Sequence, residues 1–161
     1  MDRDALLRQY GVAAGSVQFN TRGLSQEESL RSPDAGGNCA NWVLGHMVAA
    51  RCKLLGMLDI KPPIDPASLA DYDRGTEELS DADKALPFKE LRAAYKQTQK
   101  LLAAAIQDGS AELFDRPLAE PNATMGDTVA TALAFMAFHD AYHAGQLGLL
   151  RRVAGREGQI R

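Results

Sequence analysis

Phe138-His139-Asp140-Ala141-Tyr142-His143-Ala144-Gly145-Gln146 lies inside the last long apolar run of the chain. His139 and His143 are four residues apart, about one helical turn, so both imidazoles leave one face and can close on one ion. Val129, Ala132, Met136, His139, His143, Gln146 and Leu150 recur at helical spacing, which puts the two histidines in a core seam. The third and last histidine is His46, in Asn41-Trp42-Val43-Leu44-Gly45-His46-Met47. It falls on the apolar arc of a second helix, with Trp42, Val43, Met47, Ala50, Leu54 and Met57. The reading is that His46, His139 and His143 meet at one metal, and that the fold brings them together.

Working outward, the spacing predicts helices over 3–20, 39–58, 87–108 and 125–153. Leu6, Leu7, Tyr10, Ala13, Ala14 and Val17 carry the stripe of the first; Gly11 and Gly15, four apart, suggest a close helix contact there. Ser25-Gln26-Glu27-Glu28 is a capping-box pattern that opens a short helical turn before Pro33. Asn38 is a good N-cap for the second helix, and Thr124-Met125-Gly126-Asp127 a capping-box-like start for the last. Pro87 suits the first turn of the third helix, and Gly109 stops it.

Residues 59–85 show no helical period and hold Pro62, Pro63, Pro66 and a series of acids from Asp59 to Asp83. A link this long inside a compact domain marks a crossover or a functional loop. It is expected to lie partly over one end of the bundle with its acids in solvent; if it covers the metal cavity, trimming it should alter turnover more than metal affinity. No strand pattern competes. The fold class is therefore all-α, one domain over 1–161, a four-helix bundle with a long crossover between the second and third long helices.

Hydrophobic residues at 45% and charged residues at 24% describe an ordinary water-soluble domain. A net charge of −3 with no Lys/Arg block argues against a nucleic-acid partner. No apolar run is long enough to span a membrane, and Asp2, Arg3 and Asp4 do not open a signal peptide. Two cysteines, Cys39 and Cys52, are too few for a disulfide framework; they read as small core residues of a cytoplasmic protein.

Three neutral imidazoles suit a divalent transition metal, and three protein ligands leave the open position that catalytic sites keep. With no anionic ligand the ion retains its full charge and can lower the pKa of bound water or of a bound thiol. The alternative is a set of core histidines satisfied by hydrogen bonds. Two in one seam tell against it, because a buried unpaired polar group costs about 1–3 kcal/mol. His139-Asp140-Ala141-Tyr142-His143 also approaches the H-E-x-x-H pattern of zinc proteases, but Asp140 is a methylene shorter than Glu and no histidine follows as third ligand. Asp140 stays a catalytic candidate that could touch metal-bound water or orient a ligand. Gln146, seven residues from His139, is the other, placed to bond a ligand or line the cavity. Trp42, one turn from His46, reads as core packing.

Asn41-Trp42-Val43-Leu44-Gly45-His46 after a Gly-rich loop, followed by Phe138-His139-Asp140-Ala141-Tyr142-His143-Ala144-Gly145-Gln146-Leu147-Gly148-Leu149-Leu150-Arg151-Arg152, resembles the DinB-like superfamily. The resemblance runs over nearly the whole chain in element order. It implies an up-down-down-up four-helix bundle, which accounts for the 59–85 crossover. It also implies a metal triad at His46, His139 and His143, a zinc or nickel ion, and often a homodimer. Relatives include bacillithiol- and mycothiol-dependent S-transferases and maleylpyruvate isomerase. A small-molecule substrate and a low-molecular-weight thiol cosubstrate follow from that resemblance, as does a metal-dependent, thiol S-transferase-like enzyme. The other reading is a non-catalytic metal- or ligand-binding bundle, such as a stress-response accessory.

Overall fold

The computed structural model describes residues 2–79 and 82–158. Four long helices carry the fold: α1 (Arg3–Thr21), α3 (Ala40–Met57), α4 (Phe88–Asp108) and α6 (Val129–Val153). Two short ones, α2 (Gln26–Ser29) and α5 (Ala111–Asp115), sit in the connections. The long helices pack in a ring, α1 on α6, α6 on α3, α3 on α4 and α4 on α1. No helix is long and apolar enough to cross a membrane among the described residues.

Local chemistry sets most of the ends. The Asp2 carboxylate accepts the Ala5 amide at 3.0 Å and starts α1. Ser25 and Glu28 form the full capping box that opens α2. The start of α3 departs from expectation: Cys39 is its N-cap and offers no side-chain bond. Asn38 turns away, and its Oδ1 is buried without a hydrogen-bond partner. Pro87 caps α4 from outside and does not join its first turn.

The fold is mostly helical, as expected, with one addition that no strand pattern announced. Pro117–Asn122 (β1) and Gly126–Thr128 (β2) pair as a two-stranded antiparallel hairpin, and α6 begins only after it. Gly126 turns the hairpin at φ +82°, where its lack of a Cβ matters: that atom would lie 2.4 Å from Thr131 Oγ1. The capping box belongs to Thr128 and Thr131, four residues beyond the position expected from Thr124. Only Leu118 of β1 is buried, so no alternation in the sequence announces the strand.

The crossover is also more structured than its composition suggests. Pro66–Tyr72 forms a 3₁₀ helix that packs against α3, started by Asp65, whose side chain accepts the Ala67 amide. Leu69 and Tyr72 are buried in the core, whereas Asp59, Asp65, Asp71, Glu77, Glu78 and Asp83 are exposed. Asp81 lies outside the described residues. Gly11 and Gly15 sit on the exposed side of α1, with no described atom within 4 Å of a built Cβ, so they do not admit a neighbouring helix.

The apolar core falls into two clusters. One gathers Trp42, Leu44, Met47, Tyr72, Leu91 and Leu147. The other gathers Tyr10, Leu54, Leu102, Ile106, Leu133 and Met136. Arg51 of α3 and Asp140 of α6 fall between them along their helices, and both are fully buried.

Candidate metal centre

α6 presents His139 and His143 one turn apart, and α3 brings His46 opposite them. His139 Nε2 lies 3.2 Å from His46 Nε2 and 3.1 Å from His143 Nε2. Two nitrogens bound at 2.0–2.1 Å in a tetrahedron stand about 3.3 Å apart. Together the three rings offer one ligand atom each within 4.8 Å of one another.

The far nitrogens decide what those Nε2 atoms are. His46 Nδ1 lies 2.9 Å from the Tyr72 carbonyl oxygen, which only accepts, so Nδ1 carries the proton and Nε2 a lone pair. His143 Nδ1 lies 2.6 Å from Gln146 Oε1 and is fixed in the same way. His139 alone has a buried Nδ1 with no partner. With two bare Nε2 atoms facing a third, one His139 proton cannot satisfy both contacts; a shared cation does. Burial pushes the His143 imidazole down to about 4 and lowers His46 as well, so both rings are neutral near pH 7, the form that ligates metal.

Supporting contacts hold His46 from the crossover. The Tyr72 hydroxyl donates to Asn41 Oδ1 at 2.9 Å and accepts the Leu86 amide at 2.7 Å, which ties the middle of the crossover and its C-terminal end to α3. Trp42 stacks on the His46 ring, centroids 5.0 Å apart and planes within 6°. Its indole N–H donates to the Asp71 carbonyl and to Thr76 Oγ1. Trp42 is thus core packing, as read from the sequence, and also a wall of the site.

The histidines open on a cavity of about 1230 Å³ whose lining includes Trp42, Phe135, Phe138, Tyr142, Arg74 and Gln146. The hairpin contributes Asn122, Thr124 and Met125 to it. Of the two catalytic candidates, Gln146 is where the sequence put it, beside His143. Asp140 is absent from the cavity lining and fully buried; its carboxylate points to Arg51. Cys39 and Cys52 are buried free thiols, and burial pushes Cys52 up to about 11, so neither is a ready nucleophile.

Tyr72, Arg51 and the hairpin were not identified from the sequence as parts of this region. Tyr72 acts through its carbonyl, which no side-chain pattern reveals. Arg51 and Asp140 did leave a signal: each stands on the core stripe of its helix, Arg51 between Met47 and Leu54 and Asp140 between Met136 and Ala144. Opposite charges on two facing core stripes foretell a buried pair.

No curated protein matches the chain. The sequence model of the DinB superfamily matches residues 18–147, a span that takes in all three histidines. With a mostly helical fold, a histidine from α3 and a histidine pair from α6, and a family match over most of its length, the chain belongs to the DinB superfamily.

Proposed function

We propose that this chain is a metal-dependent enzyme whose His46, His139 and His143 hold zinc or nickel, and that it transfers or employs a low-molecular-weight thiol. The observation that carries the reading is the convergence of three Nε2 atoms, with the Nδ1 atoms of His46 and His143 already committed, at the wall of a large cavity. Bound there, the ion would supply Lewis acidity that lowers the pKa of a coordinated thiol or water. The chain's own residues do the rest. Tyr72 and Gln146 keep two ligand rings in the binding tautomer. Trp42, Phe135, Phe138 and Tyr142 offer apolar walls for the carbon body of an electrophile. The chemistry would be S-transfer or a thiol-assisted isomerisation.

The same reading takes residues 1–161 as one domain with its long helices up-down-down-up, supported by the crossover between α3 and α4. It also takes a second copy as partner, supported by an apolar groove of about 780 Å³ between α1 and α6. Val12 and Phe138 are 67% exposed there and Leu149 62%; Phe138 and Leu149 line the metal cavity too, so a partner in the groove would help to wall it. Sedimentation should show a dimer that Val12→Glu dissociates. Free Cys39 and Cys52 support a reducing, cytoplasmic setting.

The test is a panel of bacillithiol, mycothiol, glutathione and cysteine against alkylating electrophiles, with protein loaded with zinc or nickel. Thiol consumption above the uncatalysed rate, abolished by chelation and restored by metal, is the expected result. Uncatalysed rates with every thiol, for loaded and metal-free protein alike, would end the S-transfer reading and leave a metal-binding bundle.

A further inference from the structure

Arg51 and Asp140 form an ion pair across α3 and α6 with both side chains 0% exposed. Asp140 Oδ2 accepts Arg51 Nε at 3.0 Å and Nη2 at 2.7 Å. The guanidinium also donates to the Tyr95 carbonyl and Thr98 Oγ1 through Nη1, and to the Tyr95 hydroxyl and Gln99 Oε1 through Nη2. Its donors are saturated. The carboxylate is not: Asp140 Oδ1 is buried with no hydrogen-bond partner.

His139 Nδ1 is likewise buried with no hydrogen-bond partner, and it lies 3.9 Å from that same Oδ1. One is an N–H donor when Nε2 is free to ligate; the other is an acceptor. At 3.9 Å they are too far apart for a hydrogen bond, yet a ring or carboxylate shift of about an ångström would make one. His46 and His143 each already give their Nδ1 protons to an acceptor, so His139 is the one ligand whose outer partner is missing. A ligating histidine almost always donates its second N–H, most effectively to a carboxylate.

We infer that Asp140, anchored by Arg51, is the outer partner of His139, and that the Nδ1–H···Oδ1 bond closes when the triad takes up its metal. This rests on the reading that the triad holds a metal. Asp140 is then a positioning residue: it fixes the His139 tautomer and aims Nε2, while Arg51 holds the carboxylate still and balances its charge. Stability alone does not explain the pair, because well-packed apolar side chains often replace a buried ion pair with no loss of stability. A chain of contacts would join the ligand on α6 to α3 and α4 through Asp140, Arg51 and Tyr95. Metal uptake would be felt at the centre of the bundle.

The test is the double substitution Arg51→Met with Asp140→Leu, which removes the outer partner without stranding a buried charge. Helicity and the metal-free melting point should stay near wild type, while zinc affinity, read by competition with a chromogenic chelator, should fall roughly 10–100-fold. Wild-type zinc affinity in the folded double variant would overturn the inference and leave the three-histidine reading intact. A wild-type protein that takes up no zinc would instead overturn both. The second measurement needs no variant: in zinc-loaded protein with ¹⁵N-labelled histidine, the Nδ1 protons of His46, His143 and His139 should all exchange slowly with solvent. Fast exchange at His139 alone would overturn the inference even if the double variant fails to fold.

Discussion

The Tyr72 ring lies so close to Gly45 that a Cβ at Gly45 would sit 2.0 Å from the ring's Cδ1. That contact seats the 3₁₀ helix of the crossover against α3 one residue before His46 and brings the Tyr72 carbonyl to the His46 ring. Gly45→Ala must therefore push Tyr72 away. Overpacking of this kind costs about 1–3 kcal/mol. We expect a lower urea midpoint together with weaker zinc binding, since the displaced carbonyl is what fixes the His46 tautomer. Gly45→Ala protein that binds zinc like wild type would separate Tyr72 from the site.

The crossover makes a related prediction. As a mere cover, its removal should affect turnover more than affinity. The structure gives it the acceptor for His46, and Arg74 and Gly75 line the cavity. Replacing 66–76 by a flexible linker should thus weaken zinc binding as well as turnover, measured by chelator competition. Tyr72→Phe is the finer probe. It keeps the carbonyl but leaves the Leu86 amide and Asn41 Oδ1 short of a partner, at about 1–3 kcal/mol for each group left unpaired.

Gln146 tests the second histidine. Its Oε1 is the acceptor for His143 Nδ1, so Gln146→Leu should lower zinc affinity roughly 10–100-fold while circular dichroism stays unchanged. Loss of helicity in step with loss of zinc would show that Gln146 supports the fold and not the ligand.

Acid sensitivity follows from burial. His143 ionises near 4 in the folded chain against 6.5 for a free imidazole, and His46 is shifted the same way. As pH falls, the unfolded chain takes up these protons first. The stability from keeping the rings neutral is complete above about 6.5 and is lost progressively down to about 4, up to about 3 kcal/mol for His143. Urea midpoints of metal-free protein between pH 7 and pH 4 should fall over that window, and His143→Gln should flatten the slope. An identical slope in wild type and variant would contradict the assignment.

Much of this arrangement was legible in the residues. The four-residue step from His139 to His143, on a stripe shared with Met136 and Leu150, fixed one helix and two candidate ligands together. His46 on an apolar arc supplied the third. Helix spans came within a residue or so for α1, α3 and α4, where the apolar stripe set the length even though Asn38 and Pro87 do not open α3 and α4 as expected. The α6 start was misplaced because Thr124 and Thr128 both begin cap-like patterns, and only the pairing of β1 with β2 selects the second. Tyr72 was illegible for a different reason. It reaches His46 across 26 residues through a backbone atom, and nothing local in a Pro- and Asp-rich segment says where that atom will land. The Tyr72 partner of His46 is a long-range fact of packing, whereas the step from His139 to His143, and Gln146 beside it, are short-range facts of spacing.

The central claim is that His46, His139 and His143 together hold one metal ion, and metal content measures it most directly. Protein purified without added metal, then titrated with zinc or nickel after chelation, should bind one ion per chain. His46→Ala should lose most of that metal while keeping most of its helicity, because His46 belongs to neither apolar cluster of the core, and His139→Ala and His143→Ala should behave alike. Unchanged metal content in folded His46→Ala protein would contradict the three-histidine site.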